Sequence, residues 1–214
     1  MQSTPAAPLF EPEQRCFREP IPAIADAARF LDAAVSAHLS GKPDLAKQLI
    51  VAADMPAIRE WTESIWGKKS KYVRFRIVTG EPVVLEKRKR ENERMPNQKE
   101  RRELLTRDGF QCRFCGIPVI PVTVRKRIAR AYPSALPWGK ENKSQHAAFQ
   151  AMWLQYDHIL PHARGGNNAL NNVLITCAPC NFGRMSYTLK EVGLAHPPER
   201  GAQRSSWDGL ERFK

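Results

Sequence analysis

From Gln155 to Asn181 the chain reads QYDHILPHARGGNNALNNVLITCAPCN. An Asp-His pair, a second His, a Gly-Gly, paired Asn residues and a Cys-x-x-Cys followed by Asn stand within one short run. These are residue types that bind metal ions and move protons. A second Cys-x-x-Cys, CRFC, lies upstream, so Cys112, Cys115, Cys177 and Cys180 form two matched pairs separated by 61 residues. Each tight turn presents two sulfurs at a separation suited to tetrahedral Zn²⁺. Four thiolates leave no position open for a substrate, which makes such a zinc structural. The fifth cysteine, Cys16, reads as an inert thiol. An odd cysteine count with two Cys-x-x-Cys pairs does not fit a secreted disulfide framework.

The elements that must position these residues follow from pattern. Apolar alternation in MWLQYDHI predicts a strand ending at Asp157-His158. LPHARGGNNALNN is a loop held open by Gly165-Gly166, VLIT is a second strand, and the segment from Ala178 to about Leu189 reads as a helix. Between the Cys pairs, residues 117–150 form an insertion. VTVRKRIARAY and SQHAAFQAMWLQ look helical, with Phe149, Met152 and Trp153 at core spacing and His146 expected at the surface.

Upstream, three helices are expected: about Pro22 to Leu39, Asp44 to about Ala53, and from Pro56 to before Gly67. His38 is read as a half-buried packing residue on the first. YVRFRIV alternates with period 2 and predicts a strand with one apolar and one cationic face; TGEP reads as a turn and VVLE as a return strand. Asn97 with Glu100 resembles a capping box for the helix QKERRELLTRD. The organisation expected is an extended or disordered arm over 1–20, a helical accessory region with a basic strand or hairpin over 21–96, a module over 97–192, and a tail over 193–214.

The net charge is +12, with a pI near 9.8. Residues 68–130 hold 19 Lys and Arg against 7 Asp and Glu, so this segment carries the whole excess. A clustered cationic surface attracts polyanions through counterion release, and nucleic acid is the expected partner. No run approaches the roughly 18–20 apolar residues of a spanning helix. MQSTPAAPLFEPEQ lacks the basic and apolar regions of a secretory signal, so no membrane association and a cytoplasmic location are expected.

Taken together, CRFCG, DHILPHARGG and NNVLITCAPCN resemble the HNH endonucleases of the ββα-metal class, over roughly Arg101 to Leu189. The resemblance implies an α+β fold, a zinc-stabilised ββα-metal module with an N-terminal, mainly helical accessory region and a helical insertion between the zinc knuckles. It implies a metal-dependent endonuclease that hydrolyses DNA to 5′-phosphate and 3′-hydroxyl ends. His158 matches the general base. Asp157 matches a ligand of the catalytic divalent ion, and Asn181 stands where many members have a final His, as in HNN variants. Oxygen ligands favour Mg²⁺ or Mn²⁺ there. Asn172 matches the middle Asn, which holds the loop and orients His158. Arg184 sits where the family often has Lys or Arg and is expected to bind phosphate.

His162 and Arg164 in the loop are further candidate substrate contacts. Arg74, Arg76, Lys87, Arg88, Arg125, Lys126 and Arg127 are candidates in the basic region. The hairpin is expected against the minor groove of double-stranded DNA. Two other readings share these features: a zinc-stabilised nucleic-acid-binding or adaptor protein with a silent centre, and the nuclease effector of a larger, defence-type assembly whose protein partner docks on the N-terminal helices.

Overall fold

The computed structural model describes residues 13–66, 70–197 and 205–214. Three helices open the described chain: α1 (Pro22–Leu39), α2 (Pro43–Ala52) and α3 (Pro56–Ile65). Each begins with proline in its first turn, where the missing N–H costs nothing and the fixed φ suits the helix. α1 buries Ile24, Ala28, Leu31 and Val35, the stripe expected from its periodicity, and packs against α2. His38 is partly buried, with Nδ1 2.7 Å from the Tyr132 hydroxyl and its ring stacked on Phe213.

α4 (Gln98–Asp108) starts with the expected capping box. Asn97 Oδ1 accepts from the backbone N–H groups of Lys99 and Glu100, and the Glu100 carboxylate accepts from Asn97 N–H. The first Cys pair follows, then α5 (Val122–Ala131) and a short α6 (Ala147–Ala151). β1 (Leu154–His158) and β2 (Val173–Cys177) pair antiparallel, with Asp157 opposite Leu174 and His158 opposite Val173. α7 (Ala178–Arg184) leaves β2 directly. The chain is thus α+β, with seven helices and one two-stranded sheet among the described residues.

A single hydrophobic core runs from Cys16 to Phe213. α3 joins the first helices to the later elements, because it packs on α1, α6 and α7. Ile58, Trp61 and Ile65 are its buried face, and burial of such side chains contributes roughly 1.5–3 kcal/mol each. Gly183 permits the close approach: a Cβ there would meet Ile65 Cγ2 at 2.8 Å. The region expected as an accessory domain therefore shares its core with the ββα unit.

Several expectations are corrected. The part of the N-terminal arm that is described is docked: Gln14 bridges Leu194, and Cys16 and Phe17 are buried. Residues 1–12 lie outside the described residues. Burial pushes the Cys16 thiol up to about 12, in keeping with an inert residue. YVRFRIV forms no strand, and VVLE does not return beside it. Its backbone bonds go to loops instead, as in Arg76 N–H to Glu191 O at 2.9 Å and Leu85 N–H to Ala163 O at 2.7 Å. Period-2 alternation predicts a half-buried extended segment; a strand also needs a partner edge.

Residues 205–214 of the tail pack as well, with Leu210 and Phe213 buried and Trp207 Nε1 donating to Val119 O at 3.0 Å. α6 is shorter than expected. The last helix stops at Arg184 rather than near Leu189, because Met185 takes the left-handed φ of 54°. No helix among the described residues is long and apolar enough to cross a membrane.

His146 was expected at the surface and is fully buried at the start of α6, with Nε2 2.9 Å from Ile50 O. Burial lowers its pKa below 6.5, against the opposing pull of the Ile50 carbonyl and Asp54. A histidine held neutral in the fold contributes stability above its unfolded pKa of about 6.5, and that stability is lost as pH falls toward the folded value. Acidification from pH 7 should therefore weaken the protein, by at most about 1.4 kcal/mol per pH unit for this group. Urea unfolding across pH 5–7.5 should give a shallower slope in His146→Gln; an unchanged slope would remove His146 as the cause.

Candidate functional site

Cys112 and Cys115 sit on a tight turn closed by Gly116 N–H to Cys112 O and Cys112 N–H to Ile117 O, both 2.9 Å. Cys177 ends β2 and Cys180 lies in the first turn of α7. The two pairs meet: the four Sγ atoms lie within 4.8 Å of one another, all four residues are buried, and none forms a disulfide. Cys115 Sγ and Cys177 Sγ are 3.6 Å apart, close to the roughly 3.8 Å edge of a tetrahedron with 2.3 Å metal–sulfur bonds. Four thiolates buried side by side carry a large desolvation and repulsion cost, which a cation among the four sulfurs would offset. The donor set therefore fits a metal ion such as zinc. Asp108, at the end of α4, braces this end of the sheet, accepting from Ile175 N–H at 3.1 Å and pairing with Arg107 at 2.6 Å.

At the other end of β1 a cleft of about 460 Å³ opens. Asp157, His158 and Asn181 line it together with Lys87, Arg90 and Arg94. His158 is buried, and its Nε2 lies 2.9 Å from Asn168 Oδ1. Asn168 Nδ2 donates to Glu93 O at 2.9 Å, which fixes the amide orientation. Oδ1 is therefore the atom facing the ring, Nε2 carries the hydrogen, and the Nδ1 lone pair is left as the basic atom. Burial lowers the pKa of His158 and outweighs the raising effects of Asn168 and Asp157, which favours the neutral ring.

The loop beneath is closed by Asn172. Its Oδ1 accepts from Leu160 N–H at 2.8 Å, its Nδ2 donates to Asn167 O at 2.9 Å, and its carbonyl accepts from Ile159 N–H at 2.7 Å. Gly166 fits because a Cβ there would collide with the Leu160 carbonyl.

Arg184 departs from expectation. It is 1% exposed and cannot reach a bound phosphate. Nε donates to Asp157 Oδ2 at 3.0 Å and Nη2 to Asp157 Oδ1 and His158 O, while Nη1 reaches Tyr187 O at 2.9 Å and Ile159 O at 3.3 Å. Burial raises the Asp157 pKa, against the pull of Arg184. Asn181 is half-buried; its Nδ2 donates to Gln155 Oε1 at 3.3 Å, which leaves Oδ1 as its acceptor end.

The other cationic candidates divide in the same way. Arg125 is 7% exposed, with its guanidinium 3.6 Å from the Trp138 ring centroid, so it is a packing residue. The Arg164 side chain is buried between Glu191, Ser186 O and Pro82 O. His162 Nε2 is 2.9 Å from Glu91 O and tethers the loop. Arg76 Nε donates to Lys190 O at 2.6 Å. Arg74 and Arg88 are exposed, Arg88 beside Glu86, and Lys126 and Arg127 lie on α5 away from the cleft. Of the residues expected to bind nucleic acid, Lys87 and His162 line the cleft. Asn168, Arg90 and Arg94 were missed; only their place in an Asn-rich loop and a basic run marked them. Comparison with protein-family models, curated proteins and solved structures gives no match.

Elemental analysis of the purified chain should find one tightly held metal per molecule, lost in Cys180→Ser together with roughly 10 °C or more of the unfolding midpoint. Metal-free protein with an unchanged midpoint would remove the four thiols as a site. Separately, Arg184→Met strands a buried carboxylate and should cost about 3–5 kcal/mol without added Mg²⁺ or Mn²⁺, with part regained on adding Asp157→Asn. A loss under 1 kcal/mol in denaturant titration would show that the pair is not structural.

Proposed function

We propose that the chain is a metal-dependent endonuclease that hydrolyses DNA phosphodiester bonds, as its resemblance to the HNH enzymes implies. The observation that carries this is the cleft in which a buried imidazole, a carboxylate and an amide oxygen are lined up with three cationic side chains. His158 Nδ1 takes a proton from water as it attacks phosphorus; its Nε2–H, held by Asn168, keeps that tautomer throughout. Lys87, Arg90 and Arg94 hold the phosphate backbone, which positions the strand without reading its bases.

Asp157 and Asn181 would hold the catalytic divalent ion. A carboxylate has about four acceptor positions, and Arg184 takes one on each oxygen, so room remains for Mg²⁺ or Mn²⁺. When bound, the ion supplies charge neutralisation at the departing oxygen. The four-cysteine cluster would hold a structural zinc.

A silent, DNA-binding adaptor is favoured by one observation: Arg184 already engages both oxygens of Asp157. The two readings separate on supercoiled plasmid. The nuclease should nick or linearise it with Mg²⁺ or Mn²⁺ and stop in EDTA. His158→Ala should fall by about 10²–10⁴-fold and Asn168→Ala by less. Retained binding with no cleavage under any metal favours the adaptor, and cleavage undiminished in His158→Ala removes the assigned base.

A further inference from the structure

Besides its cations, the cleft is lined by Met95, Tyr156 and Phe182. Phe182 directly follows Asn181 and is 40% exposed, on a helix most of whose residues are buried. Its ring is nevertheless held in place. It meets Trp66 edge-on at 5.7 Å and Trp153 edge-on at 6.0 Å. Trp153 in turn meets Trp138 at 6.0 Å, and Arg125 covers Trp138. The open part of the Phe182 ring is thus backed by a chain of interlocked rings rather than left to swing.

Cations and a braced aromatic surface within one cleft match the two parts of a nucleotide. Cationic side chains neutralise phosphate, and an exposed ring stacks on a base. The volume of about 460 Å³ lies in the range of sites that enclose one small ligand. In a perfect duplex the faces of each base are taken by its neighbours in the stack. A ring beside the scissile position can therefore be used only by a base that has left the stack.

We propose that the cleft accepts a DNA nucleotide whose base is unstacked and lies on Phe182, so that unpaired DNA is preferred over a perfect duplex. This rests on reading the cleft as a nuclease site. The substrate class then follows from Phe182, and specificity is for an unpaired position rather than for a base identity, because every base offers a face to stack on.

The test uses the full chain with its cysteine-bound metal in place and no added Mg²⁺ or Mn²⁺, and three labelled oligonucleotides: a perfect 20-mer duplex, the same duplex with one unpaired nucleotide, and the single strand. Fluorescence anisotropy should show the last two bound roughly five- to hundred-fold more tightly than the perfect duplex. Phe182→Leu keeps apolar packing against Trp66 and Trp153 but removes the ring, and should abolish that preference; Phe182→Trp should keep it. Equal affinity for all three oligonucleotides, or a preference that survives Phe182→Leu, overturns the proposal. Cleavage in Mn²⁺ separates this outcome from failure of the nuclease reading. His158-dependent cutting of all three substrates, indifferent to Phe182→Leu, leaves the nuclease and removes the stacking site. Phe182-dependent binding without cutting leaves the stacking site and removes the nuclease.

Discussion

The buried guanidinium of Arg184 is the interaction on which the rest of the site depends. Taking two charges out of water costs several kcal/mol per ion, and such a pair persists only where geometry is good and the remaining donors are satisfied. Arg184 meets that condition with Asp157 and with the carbonyls of His158, Ile159 and Tyr187. These acceptors come from the end of β1, the turn beyond it and the segment after α7. One side chain thereby fixes where the strand stops, where the helix stops and how they face each other. The cysteine cluster holds the opposite end of α7. A helix of seven residues would be marginal alone; fixed at both ends, it presents Asn181 and Phe182 to the cleft.

The basic segment depends on that frame. Residues 72–95 have no sheet of their own and are held by the loop between β1 and β2 and by the segment after α7. Ala163 O accepts from Leu85 N–H, His162 contacts Glu91 O, Asn168 donates to Glu93 O, and Glu191 O accepts from Arg76 N–H. The same bonds that hold the strap also orient His158, since Asn168 bridges Glu93 and the imidazole. Positioning the cations and setting the histidine tautomer are one structural event. Charge that looked like a diffuse surface feature is delivered to a defined place.

What was legible in the sequence was local. Proline marks the starts of α1, α2 and α3, Asn97 and Glu100 form the predicted capping box, alternation located β1, and the short apolar run VLIT located β2. Paired spacing announced that the four cysteines would meet. The caps, the strands and each Cys-x-x-Cys turn rest on neighbours a few residues apart, where dihedral preference and hydrogen-bond reach decide; the meeting of the two pairs follows from a shared need for one metal.

Only the tertiary structure decided which charged and polar groups face a ligand. Arg184, Arg125 and Arg164 look as available in the sequence as Lys87 or Arg94, yet each is enclosed by partners far along the chain. His146 is buried beneath a carbonyl 96 positions away, and Phe182 is exposed although it looks like a core residue. The segment 72–78 alternates like a strand and finds loop carbonyls in place of an edge. A sequence records each residue's chemistry, but burial, ion pairing and strand pairing belong to pairs of residues, and long-range packing chooses the partner.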